Sequence, residues 1–291
     1  KNKEKFLFSY NVYKNQGIWK IIFGVTIIYF AISLSPLKDV LFNRPNVALL
    51  ETKRNILSLI DNKATVTAEA AFLPQLSSRP VAHTLFYAYF GKNQFAARDF
   101  IMPEVDYILV DYAEFLTIIA EKNSTGFLQP FKEKMPENWR KVIANYSLVK
   151  AKDNVYLWQN KNLSPETDLP LYQVDPKPSD LVAEDFLLSS SFEDINGFRT
   201  LKIDLQKIDL QGKELFIRFY QGKEYYDMSL DYGLWPVAEW SDNTINTFYY
   251  YPGDGVDSFE IFSWYGTNKL GGLKDLVVDK KIFSLSDKIT F

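Results

Sequence analysis

The fold class that this sequence predicts is α/β followed by all-β, behind an N-terminal transmembrane helix, and three observations predict it. An apolar run of helical length stands at residues 17–37, and short apolar strands then alternate with helical patterns to about residue 160. From about residue 181 the chain becomes a succession of short aromatic-rich strands broken by Gly, Asp and Asn turns. The 291 residues suit about two domains. The boundaries expected are 1–43 for a cytoplasmic stub and membrane helix, 44–163 for a small open α/β (Rossmann-like) domain, 164–180 for a Pro-rich linker, and 181–291 for an antiparallel, jelly-roll-type β-sandwich.

Composition narrows the function classes. Hydrophobic residues at 47% and charged residues at 24% exclude a disordered chain. Aromatics reach 16%, with 23 Phe, 18 Tyr and 6 Trp, which favours strands and flat binding surfaces. A net charge of −3 leaves no basic footprint, so nucleic acid is not an expected partner. With no Cys and a single His, disulfide frameworks, thiolate nucleophiles, Cys-type zinc sites and a His-based triad are not expected.

Residues 17–37, GIWKIIFGVTIIYFAISLSPL, carry one charge, Lys20, and match the roughly 20 residues that a helix needs to cross hydrocarbon. Trp19 and Tyr29 suit the interfaces, Lys20 can reach the headgroups, and Pro36 ends the helix. Lys1, Lys3, Lys5, Lys14 and Lys20 outweigh Glu4, so the positive-inside bias places residues 1–16 in the cytoplasm and everything after about residue 41 outside, with membrane lipid as a partner. A cleaved signal peptide fits less well, because the run is long and lacks a small-x-small site. The soluble alternative is a buried core helix.

The outer part opens on a helical pattern over 47–60, with Val47, Leu50, Ile56, Leu57 and Ile60 apolar. Residues 64–68, ATVTA, read as a strand, 81–86 as a second extended run, and 105–111, VDYILVD, as the clearest buried strand. Helical patterns cover 112–122 and 130–145, and residues 146–160 read as a hairpin turning at Lys152-Asp153-Asn154, an antiparallel edge on a mainly parallel sheet. No GxGxxG or GxxxxGKS follows any strand, so a nucleotide is not expected, and no cofactor is expected. The segment 73–80, LPQLSSRP, follows the first strand, where ligands bind in open α/β sheets; Arg79, with Ser77, is a candidate for holding a phosphate or carboxylate. The structural alternative has Ser77 or Ser78 capping a turn and Arg79 paired with an acid such as Asp111.

The blocks Ala64-x-Val66-x-Ala68, Leu73-Pro74-x-Leu76-Ser77-x-Arg79 and Asp106-Tyr107-Ile108-Leu109-Val110-Asp111 resemble the outer segment of bacterial membrane proteins of the DUF2079 family. The apolar run ending in Ser35-Pro36-Leu37 resembles that family's last membrane span, so the resemblance covers about residues 17–115. In the family this segment follows a polytopic region resembling lipid-linked-sugar glycosyltransferases of the GT-C type. The resemblance thus implies the bacterial cytoplasmic membrane, with residues after about 41 extracytoplasmic, and a catalytic acid upstream of Lys1. Where many relatives have Pro-His, this chain has Pro74-Gln75, so no role passes to that position.

Beyond the linker, with Pro165, Pro170, Pro176 and Pro178, the runs FLLSSSF, FRTLKIDL, KELFIRFYQ, YYDMSLDYG, NTFYYYPG, DSFEIFSWYG, KDLVVD and KIFSL predict about eight strands. Such sandwiches often bind carbohydrate, and Trp235, Glu239 and Trp240, in a loop, are the better ligand candidates. Trp264 and the run Tyr249 to Tyr251 fit core and cross-strand pairing as well as stacking. Asp254 and Asp257 in PGDGVD are weak calcium candidates, since the EF-hand spacing and its closing Glu are missing. The pairs Glu184-Asp185 and Glu193-Asp194 do not make a glycosidase case by spacing alone. His83 lies in an apolar run and reads as structural, and sequons stand at Asn123, Asn145 and Asn162.

The leading expectation is therefore the extracytoplasmic C-terminal region of a membrane glycosyltransferase-like protein, aiding recognition of an acceptor, glycan or lipid-linked sugar and lacking the catalytic core. The alternative is a single-pass anchored, non-enzymatic module that binds envelope glycan or another envelope partner, and a third possibility is a structural domain packing on sister subunits.

Overall fold

The computed structural model describes residues 20, 22–27, 29, 47–92, 98–116, 134–178, 186–208, 214–267 and 276–285, with side chains described as far as residue 263. The chain divides into two compact units, Lys1–Leu50 and Glu51–Phe291. In the first, residues 20, 22–27 and 29 are helical, with Phe23 and Tyr29 the most exposed of their apolar side chains. The membrane-crossing helix expected over 17–37 is not supported, because among the described residues no helix is long and apolar enough to cross a membrane. Crossing about 30 Å of hydrocarbon takes roughly 20 consecutive residues. The described helical residues fall well short of that, and the rest of the stretch lies outside the described residues.

Helix α1 (Val47–Ser58) buries Thr52 and Ile56. Ile56 and Ile60 join Val66, Ala68, Phe72, Leu76, Leu109, Val155 and Leu157 in one apolar core. That core lies against a five-stranded sheet of β1 (Val66–Ala68), β2 (Ala82–Thr84), β3 (Tyr107–Asp111), β4 (Tyr146–Lys152) and β5 (Val155–Asn160), in the order β2-β1-β3-β5-β4. β1 pairs in parallel with β2 and β3, while β5 is antiparallel to both β3 and β4. All of β1 and residues Ile108 to Asp111 of β3 are buried, which is why these strands read as apolar runs without alternation. Asp153, at φ +54°, and Asn154 close the β4–β5 hairpin in two residues.

The run 81–86 is extended only through Thr84. From Leu85 the chain coils into α3 (Leu85–Phe90), which follows the short α2 (Leu73–Leu76) and buries Leu85, Ala88, Tyr89 and Phe90. Gly91, at φ +65°, caps α3 by returning its N–H to Tyr87 O. Helix α4 (Met135–Ile143) seats Trp139 against Phe115, and Phe115 against Tyr89. The chain passes from β1 to β2 on one side and then to β3 on the other, so the carboxyl ends of β1 and β3 flank a topological switch point.

Eight further strands form two four-stranded antiparallel sheets. The first has the order β6-β11-β8-β7, from β6 (Tyr172–Pro176), β7 (Leu187–Ile195), β8 (Phe198–Leu205) and β11 (Thr244–Tyr250). The second has the order β10-β9-β12-β13, from β9 (Glu214–Gln221), β10 (Glu224–Ser229), β12 (Ser258–Thr267) and β13 (Leu276–Leu285). Phe219 of β9 meets Tyr250 of β11 edge-on at 5.6 Å, so the two sheets share a core.

The expected jelly-roll order is not what forms. A jelly roll, built from two Greek keys, sends consecutive strands to opposite sheets, whereas β7–β8, β9–β10 and β12–β13 are hairpins that stay within one sheet. The cause is local. Asn196 and Gly197 both have positive φ, +55° and +78°, which is the geometry of a two-residue hairpin turn, and Gly222 at +62° makes the next one.

Within the Pro-rich stretch, residues 172–176 form β6, an edge strand where proline is tolerated. Leu169 and Leu171 within it are buried; Leu169 N–H donates to Leu148 O and Tyr249 N–H to Leu171 O. The α/β sheet and the sandwich meet over a cluster of tyrosines. Tyr112 lies edge-on to Tyr156 and Tyr232 at 4.9 and 4.8 Å, and Tyr232 stacks on Tyr250 at 5.2 Å. Asp153 in the β4–β5 turn adds polar ties: its N–H donates to Tyr251 O, and its carboxylate accepts from Thr52 Oγ1 at 2.8 Å and Gly253 N at 2.7 Å.

Candidate functional site

Among the described residues Arg79 pairs with no acid. Its guanidinium donates to the backbone carbonyls of Ile60, at 3.0 Å, and Asp61, and so ties down the chain just past α1. Ser77 is exposed and returns its hydroxyl to Pro74 O at 2.8 Å. Both are thus engaged in shaping the 73–80 turn.

Of the loop candidates, Trp240 is only 4% exposed; it lies parallel to Phe186 and donates its indole N–H to Trp235 O at 2.7 Å. Trp235 is half-buried and stacks on Tyr172 at 4.2 Å, and Glu239 is exposed and paired with Arg140 at 2.8 Å. Burial, followed by the charge of Glu239, pushes the Tyr172 phenol up to about 12. Trp235 and Glu239 therefore share one surface with Tyr172 and Arg140, while Trp240 belongs to the core. Tyr249, Tyr250 and Tyr251 are buried too.

Asp254 and Asp257 are exposed; Asp254 stands 3.6 Å from Lys152, and Asp257 accepts from Ser258 Oγ at 3.0 Å. Among the described residues, no three His, Asp or Glu side chains are grouped to hold a metal ion. His83 is half-buried on β2 beside Thr67, and Asp194 accepts from Gly197 N in the β7–β8 turn. Asn123, Glu184, Asp185 and the side chain of Trp264 lie outside the described residues.

Two other arrangements collect polar groups. At the switch point, Glu69 directly follows β1 and Asp111 ends β3, and both are buried. Lys53 from α1 reaches Asp111 at 2.5 Å and Glu114 at 3.7 Å. Burial pulls the Lys53 ammonium down, but Asp111 and Glu114 outweigh it and leave it above the ordinary lysine range. Among the described residues Glu69 has no such partner: one of its carboxyl oxygens is buried without a hydrogen bond. Burial first, then the charges of Asp111 and Glu114, lift its carboxyl well above the usual range and favour the neutral acid.

At the opposite, amino end of β3 lies a cleft of about 480 Å³. Its centre is Glu104, whose Oε1 accepts from the side-chain amides of Asn160 at 2.9 Å and Asn162 at 2.8 Å. Asn160 is itself fixed, donating to Val105 O and accepting from Asn162 N–H. Tyr146 brackets Val105, its hydroxyl donating to Val105 O and accepting from Val105 N. Asn145, Lys141 and Lys161 stand at the rim, and Ile101, Met102, Pro103 and Val142 supply apolar wall. Asn145 is exposed and its side chain makes no hydrogen bond among the described residues.

The cleft thus has carboxylate, amide and ammonium groups, pinned from behind, beside a small apolar face. Asn145 and Asn162 had stood out only as sequons, and Glu104 carried no signal. What unites them is that β3, β4 and β5 end side by side, which only the strand pairing reveals. Compared with known protein families, curated proteins and solved structures, the chain matches none.

Proposed function

We propose that this chain is a glycan-recognition module of the cell envelope, with the cleft around Glu104, Asn145 and Asn162 as its binding surface. The single observation that carries the proposal is the chemistry of that cleft. Sugar hydroxyls donate and accept at once, so they are matched by side chains that alternate acceptors and donors, as Glu104, the Asn amides and the Lys ammoniums do. The volume lies within the roughly 300–1,000 Å³ of small-ligand sites, and the apolar wall offers a surface for a pyranose C–H face. Pinning of Glu104 by two amides lowers the ordering cost on binding. The resemblance of the blocks within residues 64–111 to the outer segment of DUF2079 proteins supports the same ligand class, since a protein that handles lipid-linked sugars needs a glycan-reading surface.

Calorimetric titration of the 291-residue chain with neutral envelope oligosaccharides, beside Asn145→Ala and Trp235→Ala, tests it. Asn145→Ala is expected to weaken binding by about fivefold, the worth of one hydrogen bond, with an unchanged melting temperature. Absence of binding throughout the set overturns the proposal. Loss of binding in Trp235→Ala but not in Asn145→Ala moves the site to the sandwich and overturns the assignment to the cleft.

A further inference from the structure

A second concavity, of about 170 Å³, lies where β4 and the β7–β8 hairpin meet the 251–254 turn, and its charge is mainly positive. Lys150, Lys152 and Arg199 line it, with Asp254 as the one acid among its lining residues. We infer that this notch is a binding site for the phosphate group of a phosphate ester, a ligand class distinct from neutral glycan.

Three features support the assignment. The Arg199 guanidinium is engaged by the carbonyls of Gly253, at 2.7 Å, and Val256, at 3.1 Å, and it stacks over Phe192, so its charge is held in place behind the notch. Lys150 extends over the Phe198 ring at 4.5 Å, and among the described residues no carboxylate lies within ion-pair distance of its ammonium. Lys152 and Asp254 stand 3.6 Å apart with side chains 48% and 89% exposed, a loose surface pair that a doubly charged ligand can displace.

The geometry also selects among anions. A carboxylate is best matched by the planar fork of a guanidinium, but the two terminal nitrogens of Arg199 each already commit one of its five N–H donors to a backbone carbonyl. The two ammoniums act as point charges, which suit a tetrahedral group carrying nearly two negative charges. Phe198, Tyr251 and Pro252 add an apolar rim for the organic body of an ester. Two further acids stand nearby: Asp153, behind Gly253, has its carboxylate turned inward to Thr52 and Gly253 N, and Asp194, opposite Arg199 in the β7–β8 pairing, accepts from Gly197 N.

The test is titration of the full chain with glycerol 3-phosphate and, separately, flotation with phosphatidylcholine vesicles with and without phosphatidic acid. Glucuronate serves as the carboxylate control. Binding in either arm is expected to fall by at least about tenfold in Lys150→Ala, one charge-assisted hydrogen bond's worth, and the responding arm tells a soluble ester from a lipid headgroup. Asp254→Asn, which removes the opposing charge at an exposed position, is expected to tighten binding by about two- to fivefold. Binding of neither phosphate probe, binding indifferent to both substitutions, or glucuronate bound as tightly as the ester each overturns the inference.

Discussion

The most direct physical test of the switch-point cluster is the pH dependence that Glu69 imposes on stability. Its side chain is 3% exposed, makes no hydrogen bond through one oxygen, and is flanked by Asp111 and Glu114, so burial and like charge both favour the neutral acid. Lys53 opposes them, yet its ammonium is committed to Asp111 at 2.5 Å. Because the folded carboxyl titrates well above the unfolded one, between those two values the folded chain holds a proton that the unfolded chain has released. Stability is then fully present below the ordinary glutamate range and falls as pH rises toward the folded value, by up to about 1.4 kcal/mol per pH unit. Glu69→Gln keeps the shape and is neutral at every pH, so its stability advantage over the native chain grows with pH at up to that rate. Glu114 and Asp153, also raised by burial, tilt both profiles alike and largely cancel in the difference. Urea unfolding of the two proteins at fixed salt from about pH 4.5 to about pH 8.5 measures it. Two profiles that run parallel across this range would refute the burial of an unpaired carboxyl at residue 69.

The remaining predictions concern the seam and the sandwich. Tyr232→Phe removes a hydroxyl that donates to Tyr249 O at 2.6 Å and meets the Tyr156 hydroxyl at 3.1 Å, so denaturant unfolding is expected to show a loss of about 1–3 kcal/mol. A loss under about 0.5 kcal/mol, the size of a surface change, would mean that the bridge contributes nothing. Trp240→Ala empties a core position against Phe186 and Phe248 and is expected to cost about 3–5 kcal/mol, with glycan affinity unchanged wherever the variant remains folded. Lost affinity at retained stability would instead return Trp240 to the binding surface.

Legibility followed the range of the interactions. Strand β3 was evident because a strand covered on both faces must be apolar throughout, and residues 107–111 are YILVD. The β4–β5 hairpin was evident because its turn is local, with Asp153 adopting a left-handed backbone that Asp tolerates. The run at residue 85 was misread because LFYAYF serves equally as a strand of aromatics or as a short helix burying Leu85, Ala88 and Tyr89, and only tertiary packing decides. The strand order of the sandwich was hidden for a different reason. Alternation gives the faces of a strand, and turn length gives its partner, but the order of strands from separate hairpins is set by long-range pairing, which neither signal encodes.

The candidate sites expose the same limit more sharply. Arg79, Trp240 and Asp254 were singled out by residue type, yet type does not say what a side chain is already bonded to. Arg79 is occupied by the carbonyls of Ile60 and Asp61, and Trp240 by Phe186 and the carbonyl of Trp235. Conversely, Glu69, Glu104 and Lys150 have no motif around them. Each becomes notable through long-range placement: Glu69 by burial beside Asp111, Glu104 by amides 56 and 58 positions away, and Lys150 by a ring 48 positions along the chain. A carboxylate or ammonium is informative only in relation to its surroundings, and here those surroundings come from strands paired across the whole unit. The polar clusters among the described residues therefore arise where pairing of distant segments brings polar side chains together without any local signature.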